Sequence, residues 1–118
     1  MLLVEDDPDT RHMYAVSLDV LGFDVSEARD GAEGVRRAQA LHPDVVLMDV
    51  AMPRMDGLEA TRRLKRDPTT ASVPVVILSA LTSAQDRQRA IDAGAAEFLG
   101  KPCDPETVAL RLREYSHG

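Results

Sequence analysis

Short runs of aliphatic residues alternate along this chain with stretches of helical periodicity, and that alternation restricts the fold more than any other feature. The strand candidates are Leu2 to Glu5, Phe23 to Glu27, Val45 to Asp49, Val75 to Ser79 and Ala96 to Leu99. Three of them lack polar alternation, as expected of strands covered on both faces. The first predicted helix opens at Asp7-Pro8, a capping residue followed by a proline suited to the first turn, and closes at Gly22. Its inner face is predicted to be Met13, Tyr14, Leu18 and Leu21. The others are predicted over Ala32 to Leu41, Leu58 to Arg66, Ala84 to Ala93 with Gly94 behind it, and Pro105 to Tyr115. Five βα units give an α/β fold with a mostly parallel sheet. No repeat, low-complexity tract or linker interrupts the 118 residues, so one domain over residues 1–118 is expected.

Right-handed crossovers put the carboxyl ends of all parallel strands on one side of the sheet. That edge gathers Glu5, Asp6 and Asp7 after the first strand, Asp49 after the third, Ser79 after the fourth and Lys101 after the fifth. The stretch VLMDVAMPRMDG, residues 46–57, runs from aliphatic residues straight into Asp49 and then into a proline-containing loop. An aspartate there is either a strand stop bonded to the turn backbone or a carboxylate placed where open α/β sheets hold ligands. If the first and third strands are neighbours, Glu5, Asp6 and Asp49 converge. Two unit charges about 5 Å apart cost roughly 3 kcal/mol at an effective dielectric of about 20. A proton, an ammonium or a divalent cation must offset that repulsion.

Oxygen donors without His or Cys suit a hard cation, and Mg²⁺ takes one or two carboxylates, waters and a phosphoryl oxygen. Lys101, between Gly100 and Pro102, brings an ammonium toward the same edge, and Ser79 brings a hydroxyl. A carboxylate nucleophile, a metal, a cation and a hydroxyl donor together suit formation of an aspartyl phosphate. Each element alone has a plainer reading as a strand end, a capped turn or a loop. Their order along the strands supplies the specificity.

Composition removes other classes. A net charge of −6 argues against nucleic-acid binding by this segment, which needs a basic stripe. No run of about 18 apolar residues and no charged-then-apolar leader is present, so no membrane span is expected and a cytoplasmic location is. The single cysteine, Cys103, has no internal disulfide partner, and His12, His42 and His117 lack zinc-ligand spacing. Twelve of the fourteen basic residues are arginines, so a lysine at 101 calls for its own reason.

Four segments, LLVEDDPD at 2–9, DVVLMDVAMPRMDGLEATRRLK at 44–65, PVVILSA at 74–80 and AGAAEFLGKP at 93–102, together resemble the response-regulator receiver domain of bacterial two-component signalling. The resemblance implies a flavodoxin-like (βα)5 doubly wound sheet in strand order 2-1-3-4-5. It implies that Asp49 takes a phosphoryl group from the phosphohistidine of a histidine kinase or phosphotransfer protein. Mg²⁺ would be held by Glu5, Asp6, Asp49 and the backbone carbonyl of Ala51, with Asp6 a direct ligand and Glu5 acting through water. Lys101 would contact the phosphoryl group, the Lys101-Pro102 bond is a candidate cis peptide, and Pro53 and Gly57 would shape the loop after Asp49.

By the same resemblance, Ser79 and Phe98 form a switch: the hydroxyl moves toward the phosphate and the ring turns inward. Phe98 has no polar tip, so packing alone is expected to govern it. Ala51 and Leu81 cannot align a water, so activity beyond self-phosphorylation and slow autodephosphorylation is not expected. Cys103 is expected to be a small, inert, buried residue. The surface of the fourth helix, fifth strand and fifth helix, with Arg87, Arg89, Arg111 and Arg113, would meet an output domain or partner protein, or is simply a solvated face.

Other classes compete. A degenerate receiver acting as a phosphorylation-independent interaction module would show no label. A haloacid-dehalogenase-type phosphatase would carry a second acid two residues beyond Asp49, where Ala51 stands. A flavodoxin-like cofactor binder would need an aromatic clamp, and the chain's aromatics are Tyr14, Phe23, Phe98 and Tyr115.

Overall fold

Parallel pairing of five strands organises the molecule in the computed structural model, which describes residues 1–50 and 57–116. The strands are β1 (Leu2–Val4), β2 (Ser26–Ala28), β3 (Val46–Asp49), β4 (Val75–Ser79) and β5 (Glu97–Gly100), in the order β2-β1-β3-β4-β5. This is the 2-1-3-4-5 order of a flavodoxin-like sheet. The helices between and after them are α1 (Pro8–Val20), α2 (Gly31–Leu41), α3 (Gly57–Arg66), α4 (Ala84–Asp92) and α5 (Pro105–Arg113).

The two-residue period of a strand divides the core into two layers. Leu2, Val4, Val46, Met48, Val75 and Ile77 pack on one face with Ala38 of α2, Ala60 and Leu64 of α3 and Ala90 of α4. Leu3, Leu47, Val76 and Leu78 pack on the other with Tyr14 and Leu18 of α1 and Val108, Ala109 and Leu112 of α5. Because both faces are covered, β3 and β4 are buried along their whole length.

Local chemistry fixes where helices begin. Asp7, Asp30 and Asp104 each accept the backbone N–H three residues on, at 3.0, 2.8 and 2.8 Å, and Ser83 and Asp86 cap α4 reciprocally. Pro8 and Pro105 sit in first turns, where no N–H is missed. Gly57 opens α3 against the end of β3. A Cβ there would lie 2.8 Å from Val50 Cα and closer still to the Asp49 carbonyl oxygen, so only glycine fits.

Several sequence expectations shift: β1 ends at Val4, β3 begins at Val46 and α5 ends at Arg113, each a residue or two inside the expected span. Met13 is 43 % exposed rather than part of the inner face of α1, because Tyr14 and Leu18 already fill the line of contact with the sheet. The second strand is confined to Ser26–Ala28, the residues opposite Leu2–Val4; Phe23 and Val25 pack on the α1–α5 layer before pairing begins. The fifth strand runs Glu97–Gly100, one residue later than the aliphatic run suggested. Ala51 and Pro53 lie outside the described residues.

Burial predicts mutational cost. Leu112→Ala, in a fully buried side chain, is expected to lower unfolding free energy by about 2–5 kcal/mol. Leu110→Ala, on the same helix but 62 % exposed, is expected to change it by less than about 0.5 kcal/mol. Urea titrations of the two variants make the comparison.

Candidate functional site

Strand β1 pairs with β2 on one side and β3 on the other, with Val4 level with Met48 and Asp49 level with Leu78. The residues following these strands therefore meet at one end of the sheet. Glu5, Asp6 and Asp49 each place a carboxylate oxygen within 4.8 Å of the other two. Glu5 and Asp49 are nearly closed from solvent at 3 and 6 % exposure, while Asp6 is half-buried. Asp7, the third acid of the run at 5–7, turns away to cap α1 through Thr10.

Lys101 lies over the cluster, its Nζ 3.3 Å from Glu5 Oε1 and 3.6 Å from Asp49 Oδ1. It is the lysine for which arginine abundance demanded a reason. Lys65, the other, donates to the carbonyls of Ala71 and Val73 and ties down the loop after α3. The Lys101 amide donates to the Ser79 carbonyl at 2.8 Å, and the Lys101-Pro102 bond is cis, as the resemblance implied.

Crowding shows in the acidity of Glu5, whose carboxyl is raised from 4.5 to about 7. Burial is the largest cause, followed by a hydrogen bond shared with Asp49 and by repulsion from its charge; the Lys101 ammonium pulls the other way. One ammonium does not neutralise three carboxylates. Three oxygen donors without nitrogen or sulfur, holding a proton they would release to a stronger counter-charge, fit a hard divalent cation.

Ser79 is fully buried at the end of β4, and its Oγ accepts the Leu81 amide at 3.0 Å. The hydroxyl therefore makes the turn that follows β4. Phe98, opposite Ile77 in the ladder, faces the same layer as Ser79. Ser79, Phe98, Val50, Leu58, Leu81, Asp86 and Arg89 surround a cavity of about 160 Å³. The Arg87 guanidinium stands over the Phe98 ring, 4.8 Å from its centroid. Packing alone thus does not hold this ring; a cation–π contact does too, and sequence reading missed it because Arg87 looked like one of several surface arginines. Cys103 is only half-buried, not buried as expected, because it lies in the loop between β5 and α5; the burial it has pushes its thiol above the usual cysteine value.

A family model for the response regulator receiver domain matches residues 1–113. The chain belongs to this family. The receiver domain is 38 % identical over 113 residues to the DNA-binding dual master transcriptional regulator RpaA of Synechocystis sp., covering 96 % of this chain and 47 % of the relative. It is 37 % identical over 108 residues to protein PilH of Pseudomonas aeruginosa, covering 92 and 89 %. The receiver domain spans about half or less of several curated relatives that it matches, RpaA among them. Among solved structures, chemotaxis protein CheY4 of Vibrio cholerae superposes with a TM-score of 0.91 at 32 % identity, covering 98 and 96 % of the two chains. The receiver domain of a sensor histidine kinase from Pseudomonas aeruginosa, whose structure has a magnesium ion coordinated in the active-site cleft, superposes at 0.89 with 32 % identity, covering 97 and 93 %.

The acidity of Glu5 gives a pH prediction. Between about pH 4.5 and 7 Glu5 holds more proton in the folded metal-free domain than in the unfolded chain, so its own contribution to stability falls as pH rises through that window and levels off above it. The urea midpoint of the wild type relative to that of Glu5→Gln, both in chelator, should decline across the window. Parallel profiles would contradict the shift.

Proposed function

We propose that this receiver domain is a phosphorylation switch, with Asp49 as acceptor of a phosphoryl group from the phosphohistidine of a histidine kinase or phosphotransfer protein. A bond forms between an Asp49 carboxylate oxygen and phosphorus while the phosphorus–nitrogen bond breaks, and the imidazole leaves with the electron pair. The observation that carries this reading is one buried carboxylate at a sheet edge with a lysine 3.6 Å away and two further acids beside it. Glu5, Asp6 and Asp49, with the Ala51 carbonyl, are the residues that would hold Mg²⁺. The bound ion would supply positive charge against the carboxylates and the incoming phosphoryl oxygens.

Lys101, 3.6 Å from Asp49, is suited to the phosphoryl group for the same electrostatic reason. Ser79 would donate its hydroxyl to a phosphoryl oxygen, and Phe98 would turn into the cavity beside it, altering the surface of α4, β5 and α5. That surface would meet an output domain or partner protein, with no nucleic-acid contact by this domain itself. Among the described residues no helix is long and apolar enough to cross a membrane, and a cytoplasmic setting fits a kinase-fed switch. At the rim, Leu81 offers no polar side-chain atom to align a water, which favours a long-lived phosphoryl group.

Intact-mass measurement after incubation with acetyl phosphate tests the reading. Wild type should gain one phosphoryl group only with Mg²⁺ and keep it for minutes; Asp49→Ala should gain none. No addition to folded wild type would favour an interaction module, turnover of a phosphate ester would favour a phosphatase, and loss within seconds would overturn the slow-dephosphorylation reading.

The Arg87 contact makes a second prediction. A cation–π interaction at an exposed site contributes about 0.5–1 kcal/mol, so Arg87→Ala should move the Phe98 two-state equilibrium about two- to fivefold toward the cavity. With two phenylalanines in the chain, fluorophenylalanine labelling gives two signals, and that of Phe98 should shift while that of Phe23 stays. An unmoved Phe98 signal would deny Arg87 this role.

A further inference from the structure

The first helix reaches Glu5 and the backbone just beyond Lys101. From α1, Arg11 Nη1 donates to the Glu5 backbone carbonyl at 2.9 Å. Three residues further on, on the same helix face, Tyr14 donates its hydroxyl to the Cys103 carbonyl at 2.6 Å. The Tyr14 ring is 4 % exposed and packs in the α1–α5 layer, a position a phenylalanine would fill equally well by shape. The hydroxyl is thus the feature that requires explanation, and it bonds the backbone two residues beyond Lys101. On the other side of Lys101, its own amide is held by the Ser79 carbonyl at 2.8 Å. The backbone that roots the lysine is therefore fastened just before and just after the side chain.

We propose that Tyr14 is a positioning residue for Lys101: α1 braces the site, with Arg11 fixing the backbone at Glu5 and the Tyr14 hydroxyl fixing the segment that roots the lysine. A lysine stem has four rotatable carbons, so the place of its ammonium depends on where its root is held. This rests on the reading of Lys101 as the group that meets the phosphoryl group, and it adds a residue that touches neither metal nor phosphate.

Tyr14→Phe removes one oxygen and keeps the ring. The chain has two lysines, so side-chain NMR of selectively labelled lysine gives one signal for Lys101 and an internal reference from Lys65. In Tyr14→Phe the Lys101 signal is expected to move toward that of a free lysine while Lys65 stays, and phosphorylation by acetyl phosphate with Mg²⁺ should slow about three- to tenfold. In a Lys101→Ala background the same substitution should slow the residual rate by less than about twofold, because the pair acts as one unit. Val108→Ala, which loosens the same layer without touching the hydroxyl, should leave the Lys101 signal in place. An unmoved Lys101 signal, a shift shared by Lys65, equal slowing in the Lys101→Ala background, or an equal shift in Val108→Ala would each overturn the proposal. If wild type accepts no phosphoryl group, the phosphoacceptor reading fails, and the lysine signals still decide the role of Tyr14.

Discussion

Everything at the reactive edge depends on β1 lying between β2 and β3 with all three strands parallel. The order of strands reverses at β1, so the chain leaves it on one face and returns on the other, and the ends of β1 and β3 are not roofed by a crossover. Three carboxylates are forced together there by backbone pairing, not by attraction. The sheet's hydrogen bonds and two apolar layers supply the stability that holds them against their repulsion. The unfavourable electrostatics are visible in the high proton affinity of Glu5.

Much of this was legible in the sequence because it follows from periodicity and position. Uninterrupted aliphatic runs marked β3 and β4 as doubly covered strands, and the residues that end strands fell on one side once the connections were taken as right-handed. Asp49, Glu5, Asp6 and Lys101 were therefore placed together without any distance information. Boundaries were harder where the signal was local. Phe23 and Val25 look like strand residues, yet they serve the core before pairing begins, so β2 starts at Ser26. Met13 has the right character for an inner face but the wrong angle around α1.

Side-chain contacts away from the strand ends were not legible. Nothing in the text of the chain separates Arg87 from Arg89, although one stands over Phe98 and the other lines the neighbouring cavity. Tyr14 was read correctly as a core residue, but its hydroxyl bond crosses 89 positions to reach Cys103. Ser79 carried two readings in the sequence, a turn former and a switch hydroxyl. In the structure it makes the turn, and the residue also lines the cavity beside Phe98.

The two edges of the sheet are short and carry charge: β2 has three residues with Glu27 at its centre, and β5 has four with Glu97 at its start. Long, flat, apolar edges invite another chain to add a strand, whereas short charged ones discourage it. A unit built this way can be joined to other domains, and so held at high local concentration beside them, without its backbone pairing with theirs. The segments that match this chain make up 13 % of a gliding motility regulatory protein of Myxococcus xanthus and 47 % of a transcriptional regulator of Synechocystis sp.. A self-contained sheet is what lets one fold be spliced into chains of such different length.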